Sequence, residues 1–207
     1  MMKKIFPVLL MAAVLMTACQ KEDAKKDYGF AKVYIPQATV TGIDNSYPIP
    51  LGPFYQNSKY TCSYEAASGK LDIVLGVIRS GYFAQNPGYS VSLGKYTPDA
   101  PEGVELPADV YSFPSGIVVP DGETGATVKV SVDLKALSAK RASFYTAGVY
   151  QILYLGLEIS NLQGPASYSL ADANTSVVIK LDMGSEHWDS VPAEKPEAGV
   201  RALFPFD

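Results

Sequence analysis

The stretch "ATVKVSVDL", Ala126 to Leu134, restricts the fold more than any other. Val128, Val130, Val132 and Leu134 fall on one side of it, and Lys129, Ser131 and Asp133 on the other. An apolar period of two suits a strand with one buried face and does not suit a helix, whose period is 3.6. The same alternation returns in "KLDIVLGVIRS", where Leu71, Ile73, Leu75 and Val77 oppose Asp72 and Gly76. In "VYQILYLGLEIS" it sets Leu153, Leu155, Leu157 and Ile159 against Ile152, Tyr154 and Glu158, and in "SVVIKLD" it selects Val177, Ile179 and Leu181. Tyr60, Cys62 and Tyr64 alternate in "KYTCSYEA" as well. Only "LKALSAKRA", Leu134 to Ala142, suggests a short helical turn. Strands of this length, divided by Gly and Pro clusters and lacking intervening helices, predict an all-β fold, an immunoglobulin-like antiparallel sandwich of about seven strands over residues 31–182.

The turns support that expectation. "ASGK", Ala67 to Lys70, offers Ser68 and Gly69 as a tight reversal, so the strands of Cys62 and Ile73 should pair as a hairpin. In "VPDGETG", Pro120 supplies a fixed φ, and Asp121 and Gly122 tolerate the left-handed region. The segment from Tyr96 to Gly116 carries Pro98, Pro101, Pro107 and Pro114, which cannot donate to a ladder, and should wrap an edge between sheets. Residues 183–207 read as an irregular tail.

The N-terminus has a different character. Lys3 and Lys4 precede an apolar run of 12 residues from Ile5 to Met16, and the small residues Thr17 and Ala18 lead into Cys19. That is the layout of a secretory signal peptide over residues 1–18. The run is shorter than the roughly 20 apolar residues a membrane-spanning helix needs. "MTAC" resembles a bacterial lipobox, with Met16 in place of the usual leucine; the resemblance implies lipidation of Cys19 and a membrane anchored through its acyl chains. "QKED", Gln20 to Asp23, resembles the acidic export signal of Bacteroidota lipoproteins, which implies the outer face of the outer membrane. Residues 19–30 would then form a solvated tether.

With residues 1–18 removed, 17 basic residues lose Lys3 and Lys4, leaving 15 against 21 acidic ones and a formal charge of −6. A net acidic domain argues against nucleic acid, whose phosphates select clustered Lys and Arg. With Cys19 acylated, Cys62 has no partner within the chain, and a single thiol beside the lone histidine, His187, makes a poor metal site.

The order "KVYIPQA", "LDIVLGVIRSGYFAQNPGYSVSL", "LPADVYSFPSGIVVPDG", "VKVSVDLKAL" and "GVYQILYLGLEIS" resembles the domain of unknown function at the N-terminus of many Bacteroidota surface lipoproteins. There an immunoglobulin-like sandwich often precedes a glycan-active or glycan-binding module. The resemblance spans Lys32 to Leu181. It implies a part in polysaccharide capture, or in spacing outer-membrane uptake or glycosidase partners from the membrane, and it supplies no catalytic residue and no cofactor.

Chemistry-bearing constellations are sparse. A glycosidase holds two carboxylates about 5–10 Å apart, one of them with a raised pKa. Asp72 and Glu158 read instead as solvated strand residues, and no nucleophile elbow accompanies His187. Cys62 reads as a small buried hydrophobe, and Asp172 with Asn174 has a calcium-like spacing without the rest of a ligand loop. A catalytic or metal site is therefore not expected. For binding, the loop "RSGYFAQNPGY" gathers Tyr82, Phe83, Gln85, Asn86 and Tyr89, rings and amides of the kind that contact sugars. Trp188, the only tryptophan, is a further contact candidate or a plug over one end of the sandwich. "DSV", Asp189 to Val191, resembles a Bacteroidota O-glycosylation pattern with Ser190 as acceptor. The function expected is a non-enzymatic, surface-exposed lipoprotein that binds glycan or acts as a spacer; the alternative is a structural or adhesive role, pilin-like or in host contact.

Overall fold

The alternating stretches become strands, and their apolar sides meet in one core. The computed structural model describes residues 29–42, 44–49, 62–65, 67–81, 83 and 85–182, leaving aside the side chains of residues 64 and 182. The signal peptide, most of the tether, Tyr60 and the 183–207 tail lie outside these residues.

One sheet contains β1 (Ala31–Tyr34), β3 (Cys62–Glu65), β4 (Lys70–Arg79), β7 (Tyr111–Ser112), β9 (Gly125–Asp133) and β13 (Tyr168–Leu170), in the order β13-β1-β4-β9-β7. β3 and β1 share one edge of β4, with β3 against Lys70 to Ile73 and β1 against Ile78 and Arg79. The other sheet contains β2 (Ser46–Pro48), β5 (Tyr89–Lys95), β6 (Val104–Glu105), β8 (Gly116–Val119), β12 (Ile152–Gln163) and β14 (Ser176–Asp182), in the order β2-β14-β12-β5-β8, with β6 also on β12. β10 (Tyr145–Thr146) and β11 (Val149–Tyr150) form a separate hairpin.

Two expectations need adjusting. Among the described residues the two sheets have six strands each where about seven in all were expected, because segments of two to four residues are too short to show a period. The long strands pair antiparallel, but β1 with β13, β6 with β12 and β2 with β14 are parallel. The Pro-rich segment behaves as read, passing from β6 in one sheet to β7 in the other and back to β8.

The inner faces are those the alternation selects. Leu71, Ile73, Leu75, Val77, Val128, Val130, Val132, Leu153, Leu155, Leu157 and Ile179 are buried together. Each such side chain removed from water contributes about 1.5–3 kcal/mol. The hairpin of Cys62 and Ile73 forms, its turn closed by Gly69 at φ +69, whose N–H donates to the Glu65 carbonyl at 2.9 Å. "LKALSAKRA" becomes α1 (Leu134–Ala139), started by Asp133, whose Oδ1 accepts from the Ala136 N–H at 2.8 Å, and held by buried Leu134 and Leu137. The motif "YIPQA" gains a physical meaning here. Between the stretches of β4 paired with β3 and with β1, the Gly76 N–H has no strand to meet, and the buried Gln37 accepts it through Oε1 at 3.0 Å.

The topology defines two ends. Residues 29–31 enter at the near end, beside Arg79, the β4–β5 loop and the start of β5. The far end holds the β3–β4 turn, α1, the β10–β11 hairpin and Asp182, which pairs with Ile152.

Candidate functional site

The loop expected to meet sugar closes the near end, and Arg79 organises it. Period two along β4 carries Arg79 to the same face as Leu71, Ile73, Leu75 and Val77, and it is 5 % exposed. Its Nη1 donates to the carbonyls of Ser80 at 3.4 Å and Gly81 at 2.8 Å, and its Nη2 donates to Asn86 Oδ1. The guanidinium carbon lies 4.8 Å from the Phe83 ring centre and 5.7 Å from that of Tyr168. Among the described residues no partner of Arg79 is a carboxylate, and its buried Nε has no acceptor. The charge is therefore spread over amide dipoles and ring faces rather than neutralised by an ion pair.

Neighbouring contacts fix the rest of the loop. The Asn86 Nδ2 donates to the Gly122 carbonyl at 3.2 Å, and the Gly88 N–H donates to Asp121 Oδ1 at 2.5 Å, which ties the β4–β5 loop to the β8–β9 turn. Tyr168 meets Phe83 edge to face at 5.4 Å and Tyr89 at 5.7 Å, and its hydroxyl donates to the Pro87 carbonyl at 3.3 Å.

The structure thus brings together Phe83, Asn86 and Tyr89, but around an internal arginine. Tyr89, expected in the contact loop, is buried: it is the first residue of β5, its ring falls on the inner face, and its hydroxyl donates to the Thr124 carbonyl at 3.4 Å. Phe83 is half-buried with its ring engaged, and Gln85 is exposed. Tyr82, Cys19, Trp188, Ser190 and His187 lie outside the described residues. Sequence reading missed Arg79 and Tyr168. The signal for Arg79 was available, since a charged residue at an inward position of an alternating strand needs partners within the fold.

No family model matches the sequence, and a search of curated proteins finds none similar to it. Among solved structures, a Bacteroides ovatus protein of unknown function aligns over 78 % of this chain and 46 % of its own, with 19 % identity and a TM-score of 0.43. A second Bacteroides ovatus protein of unknown function aligns over 74 % and 52 %, with 14 % identity and a TM-score of 0.44. The apo form of the Calx CBD1 domain aligns over 74 % of this chain and 98 % of its own, with 13 % identity and a TM-score of 0.36. The chain spans about half the length of the two Bacteroides proteins.

The remaining polar candidates are engaged in structural contacts. Asp172 pairs with Lys32 at 3.4 Å, and Asn174 occupies the left-handed region at φ +66. No group of three or more metal-ligating side chains occurs among the described residues. Cys62 is buried, and burial pushes its thiol up to about 11, against a smaller opposing effect of a backbone hydrogen bond. A thiol held there is protonated at neutral pH and a poor nucleophile.

Asp72 is more enclosed than the solvated residue expected. Ser131 Oγ donates to its Oδ1 at 2.5 Å and Lys129 Nζ to its Oδ2 at 2.8 Å. Burial would raise its pKa, but the hydrogen bonds and the charge of Lys129 outweigh it, so the carboxyl is held below the ordinary range. A depressed carboxylate pKa stabilises the fold above the unfolded value and loses that effect as pH falls through the folded one. Asp72→Asn is therefore expected to cost about 1 kcal/mol at pH 7 in urea unfolding, with the difference from the parent closing below about pH 4. A difference that stays constant from pH 7 to pH 3 would contradict the ionic assignment.

Proposed function

We propose that the chain is a lipid-anchored, non-enzymatic module of the outer cell surface that holds or spaces partners in polysaccharide capture. The observation that carries this reading is the sequence around Cys19, a basic start, an apolar run and two small residues before the cysteine, with "QKED" after it. The fold supports a spacing role through its ends. The chain enters the sandwich at the near end, and the 12 residues of β12 extend about 40 Å toward the far end. An anchor at Cys19 therefore leaves the far end free to face outward, beyond the packed Arg79 loop.

The test compares the parent with Cys19→Ala in the native host. The parent should incorporate labelled palmitate, sediment with outer membranes and be shaved from intact cells by protease, while Cys19→Ala should lose label and membrane association. Equal sedimentation of both without label would overturn the anchor. Retardation of the parent in polysaccharide affinity gels tests capture separately, and its absence across all polysaccharides tried would leave spacing as the role.

One observation favours the adhesive alternative. β1 lies between β13 and β4, so withdrawing its four residues would open a strand-wide groove lined by the partners of Ala31 and Val33. Ladders of sodium-dodecyl-sulfate-resistant polymer from cells would establish that reading in place of the first.

A further inference from the structure

The first and last of the described strands lie inside their sheets, and each has a parallel neighbour. β1 runs between β13, parallel to it from Ala31 to Val33, and β4, antiparallel to it at Val33 and Tyr34. β14 runs between β12, antiparallel along its whole length, and the parallel β2. The chain enters β1 at the near end, and β14 delivers it to the far end at Asp182. A pull on residue 29 against residue 182 therefore acts along both strand axes in opposite directions.

Sheet hydrogen bonds lie across the strands, so tension along the axis strains all of them together, whereas a pull from the side opens them one after another. On the β13 side of β1, the Ala31 N–H donates to the Ser167 carbonyl at 3.0 Å and the Ala171 N–H to the Val33 carbonyl at 2.9 Å. On the β4 side, the Ser80 N–H donates to the Lys32 carbonyl at 2.8 Å and the Lys32 N–H to Ser80 Oγ at 3.1 Å. Just beyond the strand, the Ile35 N–H donates to the Asn174 carbonyl at 2.8 Å. The strand also cannot creep. Ala31, Val33 and Ile35 are buried, so a slip of one residue toward the near end would bring Lys32 and Tyr34 onto the core side. β1 has four residues and β14 has seven, so β1 is the weaker of the two holds.

We infer that the sandwich is built to carry tension from its near end to its far end, and that β1, bonded on both edges and locked in register, is the clamp that sets the limit. Its use on the cell rests on the anchor reading above, in which Cys19 is fixed and the far end meets a partner. The clamp itself is a property of the sandwich, so it stands or falls without a membrane or a glycan.

Single-molecule force spectroscopy of the full chain, purified in mild detergent with Cys19 unacylated, tests the clamp. Cys19 takes one handle, and Cys62 is buried and does not compete for it. The second handle goes on Asp182→Cys for a pull along the strands, or on Glu123→Cys for a pull that peels β1 from its Ala31 end. Glu123 is exposed in the β8–β9 turn, at the near end beside Arg79. At one loading rate, the pull to residue 182 should rupture at about two to three times the force of the pull to residue 123, because the bonds of β1 yield together rather than in sequence. Val33→Ala and Val177→Ala then remove the same atoms from fully buried positions of β1 and β14. Val33→Ala should lower the force of the pull to residue 182, and Val177→Ala should leave it unchanged, since β14 is still packed when β1 gives way. A peeling force that equals or exceeds the force along the strands would overturn the inference. Equal losses from the two valine variants would also overturn it, by assigning the resistance to the whole sandwich rather than to β1.

Discussion

Arg79→Ala is expected to lower the unfolding free energy by about 3 kcal/mol, read as a reduced urea midpoint with an unchanged slope. The substitution removes the stem that packs beside Phe83 and Tyr168, and it strips hydrogen bonds from the Gly81 carbonyl and from Asn86 Oδ1. Arg79→Met should behave differently. Methionine keeps most of the stem and removes a buried charge that no carboxylate neutralises, and exchanging such a charge for an apolar group of similar size is often neutral. The methionine variant should therefore recover more than half of the loss. Its β4–β5 loop should nevertheless exchange amide hydrogens faster than in the parent, because Ser80, Gly81 and Asn86 lose a common donor. Equal losses for alanine and methionine would mean that the hydrogen bonds matter and the packing does not. No loss in either would mean that the loop is held from the β8–β9 turn alone.

The sandwich was legible because its long strands each bury one face, and a period of two over seven or more residues survives in sequence. Ala126 to Leu134 shows this, with every inward residue from Val128 to Leu134 buried. The short strands were not legible. β6 and β7 have two residues each, and their pairing is decided by where the Pro-rich segment crosses between sheets. Tyr154 shows a second limit. It was read as outward and does point away from the core, yet it is only 7 % exposed. Tyr96 folds its carbonyl over Gly156 on the outer side of β12, and Glu102 pairs with Lys180, the residue in register with Tyr154; such non-local cover leaves no trace in the alternation. At the candidate site, composition pointed to the β4–β5 loop, because aromatic and amide residues collect there. It misjudged what they face, because rings that can meet sugar can equally meet an inward arginine, and only the register of β4 distinguishes the two.

Gly156→Ala is expected to be among the most damaging single-methyl changes in the described residues. A Cβ at residue 156 would lie 2.2 Å from the Tyr96 carbonyl oxygen and 3.2 Å from the Tyr96 ring. The oxygen is backbone and cannot swing aside like a side-chain end. It is held there because the Tyr96 N–H donates to the Gly156 carbonyl at 2.9 Å and Lys95 is in register with Leu157. To admit the methyl, the end of β5 must move away from β12 by about 1 Å, which breaks that hydrogen bond and opens the outer cover of the longest strand. The expected loss is about 3 kcal/mol, a large share of the roughly 5–15 kcal/mol that keeps a typical domain folded. Gly94→Ala is the matched control. Gly94 lies in the neighbouring β5, in register with Glu158, but a Cβ there meets nothing within 4 Å. Relieved of glycine's excess chain entropy, that variant should be unchanged or more stable by about 0.5 kcal/mol. If both alanine variants unfold at the parent's urea midpoint, the chain leaving β5 does not cross β12 as closely as described, and the burial of Tyr154 loses its explanation.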